Sequence, residues 1–134
     1  MEEIIRMARD MGKAIQASDE YQVFTVAKDT ADADESLQAG IGEFNLKRVA
    51  INEEMQKSDK DMAKIQKLNQ ELQQIYTDVM GNQHMMAYNV AKQNLDALMS
   101  QVTGILTLCV QGEDPETCEP ASCAGDCSSC GGCH

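Results

Sequence analysis

The apolar residues recur at steps of three and four through most of the chain, never in strict alternation, so the pattern predicts helices and no strands. Both prolines, Pro115 and Pro120, lie near the end, so nothing interrupts long helices over residues 1–114. The first helix is expected from Glu2 to Ala17, with Ile4, Ala8, Met11 and Ile15 in one stripe and Ile5 beside it. Ser18 or Asp19 can cap a second helix from Glu20 to Ala31, anchored by Tyr21, Phe24 and Val26. Asp29 to Ser36 turns small and acidic and reads as a connector, in which Asp32 and Glu35 have the spacing of a capping box. A third helix follows from Asp34 to Lys57, with Leu37, Ile41, Phe44, Ile51 and Met55 on its inner side. Gly40 and Gly42 weaken its first turns, or permit a bend or a close crossing by another helix.

Ser58 to Asp61 has the form of a second capping box, opening a fourth helix that reaches Met80. There Ile65, Leu68, Leu72, Ile75 and Val79 make a narrow coiled-coil-like seam. Gly81 suits a left-handed position at the end of that helix, and Asn82 can cap the next. The fifth helix is expected from Gln83 to Val110, with Met86, Val90, Leu95, Leu98, Val102, Ile105 and Leu106 as its apolar set. At 1.5 Å per residue it is roughly 40 Å long. The fold expected is all-α: an extended helical hairpin or open bundle of about five helices. The domain reading is a helical body at 1–111 and an irregular, Cys-rich tail at 112–134. Stripes of this length need more cover than one chain supplies, so a homo-oligomer or docking to another helical protein is expected.

Composition sharpens this picture. Tryptophan is absent and there are two Phe and three Tyr, so the core must rest on aliphatic residues and on nine Met, which pack adaptably. The formal charge is −11, and every Lys and Arg lies between Arg6 and Lys92. The segment from Gly112 carries Glu113, Asp114, Glu116, Glu119 and Asp126 and no base, which disfavours direct binding to a phosphate backbone. An acidic surface also serves solubility alone. The N-terminal residues lack the pattern of a signal peptide. No apolar stretch approaches the roughly 20 residues of a membrane span. A cytoplasmic protein is expected.

Five of the six cysteines fall in the tail: Cys118, Cys123, Cys127, Cys130 and Cys133, followed by His134. Thiolates at these close spacings, separated by Ser, Gly, Ala and Asp, are soft ligands that select iron–sulfur iron, zinc or copper(I). Cys127, Cys130 and Cys133 have the Cys-x2-Cys-x2-Cys run of cluster proteins, and Cys123 is the natural fourth ligand. Cys118 and His134 stand in reserve, or as ligands to a cluster shared with a partner. A 4Fe–4S cluster is therefore expected. Zinc is the alternative, disfavoured because structural zinc usually takes two ligand pairs around an intervening folded segment. A tail of free thiols with no metal is the plainer reading. Cys109, beside Leu106 and Leu108, reads as a buried structural thiol, although the tail could fold back to recruit it as an extra ligand. His84 reads as solvated or lightly packed. No Ser/His/Asp set, phosphate-binding glycine loop or His-Glu-x-x-His motif occurs, so no enzyme site is expected.

The helical part resembles the YlbF/YmcA family of small bacterial regulators. The residues that carry the likeness are Ala14 to Tyr21 (AIQASDEY), Ala27 to Asp34 (AKDTADAD), Glu43-Phe44 at the start of a long charged stretch, and the final helix led by Asn82. The run Ser122 to Cys133 (SCAGDCSSCGGC) is similar to the Cys-rich end of the YlbF branch. The resemblance implies an all-α, oligomeric accessory protein. It further implies a complex with a YmcA-like helical protein and a cysteine-rich partner that carries iron–sulfur clusters. That complex works with a membrane-associated endoribonuclease in mRNA maturation and affects competence, sporulation and biofilm formation. On this reading the protein is a non-enzymatic regulator. The rival readings are a zinc or copper(I) carrier with the helices as a handle, and a structural helical module with an incidental tail.

Overall fold

The computed structural model describes residues 1–121. Five helices and no strand are found among them: α1 (Glu2–Ala17), α2 (Asp19–Ala33), α3 (Glu35–Gln56), α4 (Met62–Gly81) and α5 (Gln83–Val110). The chain divides into two compact units, Met1–Gln93 and Asn94–His134.

Most helices are joined by one residue. Ser18, Asp34 and Asn82 each stand alone between two helices in extended backbone conformation. Each also uses its side chain to cap the helix it opens. Ser18 Oγ accepts from Tyr21 N at 3.3 Å, Asp34 Oδ1 from Leu37 N at 3.0 Å, and Asn82 Oδ1 from His84 N at 2.8 Å and Met85 N at 3.2 Å. These acceptors satisfy amides that a helix start otherwise leaves orphaned.

Several sequence-based expectations are corrected here. The connector at 29–36 contracts to Asp34, because one Asx cap suffices to turn the chain, and Asp32 instead pairs with Lys28 at 2.9 Å. The cap of α4 is Asp61, whose Oδ1 accepts from Lys64 N at 3.1 Å, rather than Ser58. Gly81 is helical and has no positive φ; Asn82 ends α4 in its place.

The centre of the first unit is the antiparallel pair α3–α4. Its register is read from four contacts: Gly40 against Val79, Phe44 against Tyr76 with ring centroids 6.1 Å apart, Lys47 paired to Glu71, and Glu54 bonded to Lys64 at 3.0 Å. The α4 seam holds as expected, with Ile65 buried and Leu68, Leu72, Ile75 and Val79 half-buried. On α3 the inner line is Leu37, Ile41, Phe44, Ala50 and Ile51, ending on Glu54 rather than Met55. Gly40 is the close crossing: a Cβ there would sit 3.0 Å from Val79 Cγ2, whereas one on Gly42 would meet nothing.

α2 lies against α5 through Phe24 and Tyr88, whose ring centroids are 5.6 Å apart. Ala91 is buried and Met85, Tyr88, Leu95, Leu98 and Val102 are half-buried, while Met86, Val90, Ile105 and Leu106 are exposed, as is Val26 on α2.

The buried apolar set among the described residues is small. Of large side chains it holds Leu37, Ile51 and Ile65. Each contributes about 1.5–3 kcal/mol relative to exposure, so the core is thin beside the conformational entropy it must offset. No residue of α1 is buried, and Ile4 and Met7 are 69% and 63% exposed.

Candidate functional site

Of the residues singled out by sequence, Cys118 is described; Cys123, Cys127, Cys130, Cys133 and His134 lie outside the described residues. The setting of Cys118 begins at the end of α5. Gly112 takes φ 95°, which costs a glycine nothing. Gly112 N then donates to Cys109 O and Glu113 N to Leu108 O, each at 3.1 Å, the paired bonds of a Schellman turn. A second turn follows at once. Asp114 Oδ1 accepts from Glu116 N at 3.0 Å, and Asp114 O accepts from Thr117 N and Cys118 N at 3.2 and 2.9 Å. The chain is thereby reversed, and Pro120 comes to rest on the bare flank of Gly104, where a Cβ would lie 2.5 Å from Pro120 Cβ.

This strap brings Cys118 back to α5. Its thiol lies beside that of Cys109, and both cysteines are free and half-buried. Burial raises the Cys118 thiol above its ordinary value, and the neighbouring Cys109 raises it further. Cys109 is therefore not an isolated core thiol. The sequence allowed for its recruitment by the tail, and the segment to Ala121 does fold back to it. Two glycines carried the signal: Gly112 for the reversal and Gly104 for the landing surface.

The donor chemistry fits a thiophilic metal, since the sulfurs of Cys109 and Cys118 are soft donors side by side. Among the described residues, no group of three or more His, Cys, Asp or Glu side chains is placed to hold a metal ion.

Two polar clusters in the first unit were missed by sequence reasoning. Asp34 Oδ2 accepts from Asn82 Nδ2 at 3.1 Å and meets His84 Nδ1 at 2.9 Å. The Leu37 amide, then Asn82 and His84, hold the Asp34 carboxyl down at about 2. His84 is thus a pinned residue at a helix junction, not merely a solvated one. Glu54, 3% exposed, bonds Lys57 Nζ at 2.8 Å, Lys64 Nζ at 3.0 Å and the Asp61 amide at 3.2 Å. Lys57, then Lys64 and the amide, lower it to about 2. A glutamate at an inner helix position gave no sign of this, because its partners come from a turn whose course the periodicity does not define. Both clusters clamp the backbone where helices meet.

No helix among the described residues is long and apolar enough to cross a membrane. The family model described as control of competence regulator ComK, YlbF/YmcA, matches residues 4–111. No curated protein and no solved structure matches the chain.

Proposed function

This chain belongs to the YlbF/YmcA family, whose members are described as regulators in the control of competence, and from that premise we propose a protein-binding adaptor with a cluster-bearing tail. The helical body docks a second helical protein, a copy of itself or a YmcA-like relative. The tail gives thiolates to an iron–sulfur cluster within a complex that modulates endoribonuclease-dependent mRNA processing. The protein does no catalysis of its own and acts in the cytoplasm.

The observation that carries this reading is α1. It is strongly amphipathic, and its apolar residues Ile4, Ile5, Met7 and Met11 are all exposed. A contiguous apolar stripe left in water on a thin-cored protein marks an interaction surface. The strap supports the second half, because it fixes the root of the Cys-rich segment to the end of α5 through Cys118 and Pro120. Cys123, Cys127, Cys130 and Cys133 are the proposed ligands, with Cys118 and His134 in reserve. When bound, such a cluster supplies one-electron redox chemistry and a sensitivity to iron supply. Ligation across subunits would tie assembly of the complex to the presence of the cluster.

The test is an absorption spectrum with iron, zinc and acid-labile sulfide analysis on protein purified without oxygen, alone and with its helical partner. A broad band near 400 nm (about the range of Cys-ligated clusters), with iron and sulfide in similar amounts, is expected. Stoichiometric zinc without sulfide would replace this reading with the metal-carrier one. Metal-free protein in both preparations would leave the tail no metal role.

A further inference from the structure

The six cysteines divide into two sets. Four are separated from the helices by sequence, and two are held together by the fold. We propose that Cys109 and Cys118 form a reversible disulfide that fastens the strap running from Gly112 to Ala121 onto the last turns of α5.

The geometry carries this. Cys109 sits on a helix, and Cys118 reaches it through two successive turns whose backbone amides are bonded at 2.9 to 3.2 Å. Pro120, packed on Gly104, fixes the strap on the far side of Cys118. The pairing is therefore specified from both flanks and is not a chance encounter of two thiols. Between two neighbouring thiols on a helix end and the strap folded against it, closing to the ~2.05 Å of a disulfide calls for side-chain rotation and a strap adjustment rather than unfolding. The family match ends at residue 111, so the Cys118 half of the pair lies beyond it.

The oxidant is a low-molecular-weight disulfide of the glutathione class. One protein thiol attacks it, forming a mixed disulfide and releasing one small thiol. The second protein thiol then displaces the other small thiol and closes the Cys109–Cys118 bond. Two protein thiols are oxidised, one small-molecule disulfide is reduced, and both protons leave on the two released thiols. The proposal stands whether or not the tail holds a cluster.

The experiment uses the full-length chain with Cys123, Cys127, Cys130 and Cys133 replaced by Ser, which removes competing thiols. The protein is equilibrated across reduced and oxidised glutathione ratios, quenched in acid, alkylated and mapped by mass spectrometry. One intramolecular bond joining the Cys109 and Cys118 peptides is expected. Protein that accumulates only as bis-glutathionylated or intermolecular species would overturn the proposal. In the same background, Gly104→Ala should displace Pro120 and lower the equilibrium constant for ring closure several-fold; an unchanged constant would remove the strap from the argument. Separately, Cys109→Ser/Cys118→Ser in the otherwise native chain should retain whatever iron and sulfide the parent carries. Loss of that metal would overturn the two-plus-four division and make the pair ligands. A parent that carries none, both alone and with its helical partner, counts against the cluster reading and leaves the disulfide result standing.

Discussion

Asp34 and His84, fifty positions apart, meet at 2.9 Å between Oδ2 and Nδ1, while the other Asp34 oxygen caps α3. One carboxylate thus joins the start of α3 to the start of α5, with Asn82 as a third member. Asp34→Ala removes the cap and both cross-links. It should lower the thermal midpoint by about 5 °C or more, followed by circular dichroism. His84→Gln leaves the cap in place and should cost distinctly less. Equal losses would mean that the cap is not the larger contribution.

Acid should loosen the α3–α4 turn in a defined window. Glu54 is held at about 2 by Lys57, Lys64 and the Asp61 amide, against an ordinary value of 4.5. The folded state therefore binds this proton less readily than the unfolded state. The stabilisation is fully present above about pH 4.5 and is lost as pH falls toward 2. Asp34, lowered from 3.8 to about 2, acts in the same direction. Thermal melts of the parent and of Glu54→Gln should differ at pH 7 and converge near pH 2. Parallel curves across that range would contradict the Glu54 assignment.

Gly40 and Gly42 lie two residues apart in α3 but should respond unequally to Ala. Gly42 has open space around it, so Gly42→Ala gains helix propensity of about 0.5–1 kcal/mol. Gly40→Ala puts a methyl 3.0 Å from Val79, whose branched side chain has little rotamer freedom. Urea denaturation should show Gly42→Ala more stable than the parent and Gly40→Ala less stable than Gly42→Ala.

The adaptor reading separates fold from binding. Ile4→Lys with Met7→Lys alters residues that bury nothing in the chain, so stability should stay within about 0.5 kcal/mol of the parent. Co-purification of a helical partner should nevertheless fall sharply. Cys127→Ser with Cys130→Ser should abolish a cluster and weaken that association while leaving the helical signal intact. Undiminished binding by the cluster-free variant would remove the coupling between cluster and assembly.

Much of the fold was legible because helical periodicity, Asx and Ser caps and the absence of early prolines agree with one another. Helix number, the α4 seam and the ends of α1 and α5 follow from those alone. Of the apolar set expected on α5, Leu95, Leu98 and Val102 are half-buried, whereas Met86 and Val90 are exposed and Met85, Tyr88 and Ala91 are covered beside them. Apolar residues surround that first stretch of α5, and periodicity alone does not separate Met86 from Tyr88, which meets Phe24. Glu54 was illegible for a related reason, since its burial depends on partners across a turn. At the tail, the cysteine spacing raises the expectation of soft-ligand chemistry, and Cys123, Cys127, Cys130 and Cys133 lie outside the described residues. The pairing of Cys118 with Cys109 required knowing that Gly112 reverses the chain and that Gly104 leaves room for Pro120.

The single-residue joints at Ser18, Asp34 and Asn82 make this chain intolerant of changes in length. Inserting one residue at any of them would turn the following helix by about 100° about its own axis, sending a polar face to the core and an apolar one to water. The wider turn from Lys57 to Asp61 carries no such phase constraint, because Ser58, Asp59 and Lys60 lie between the two residues bonded to Glu54. Relatives of this protein should therefore differ in length there, with the three joints held to one residue each.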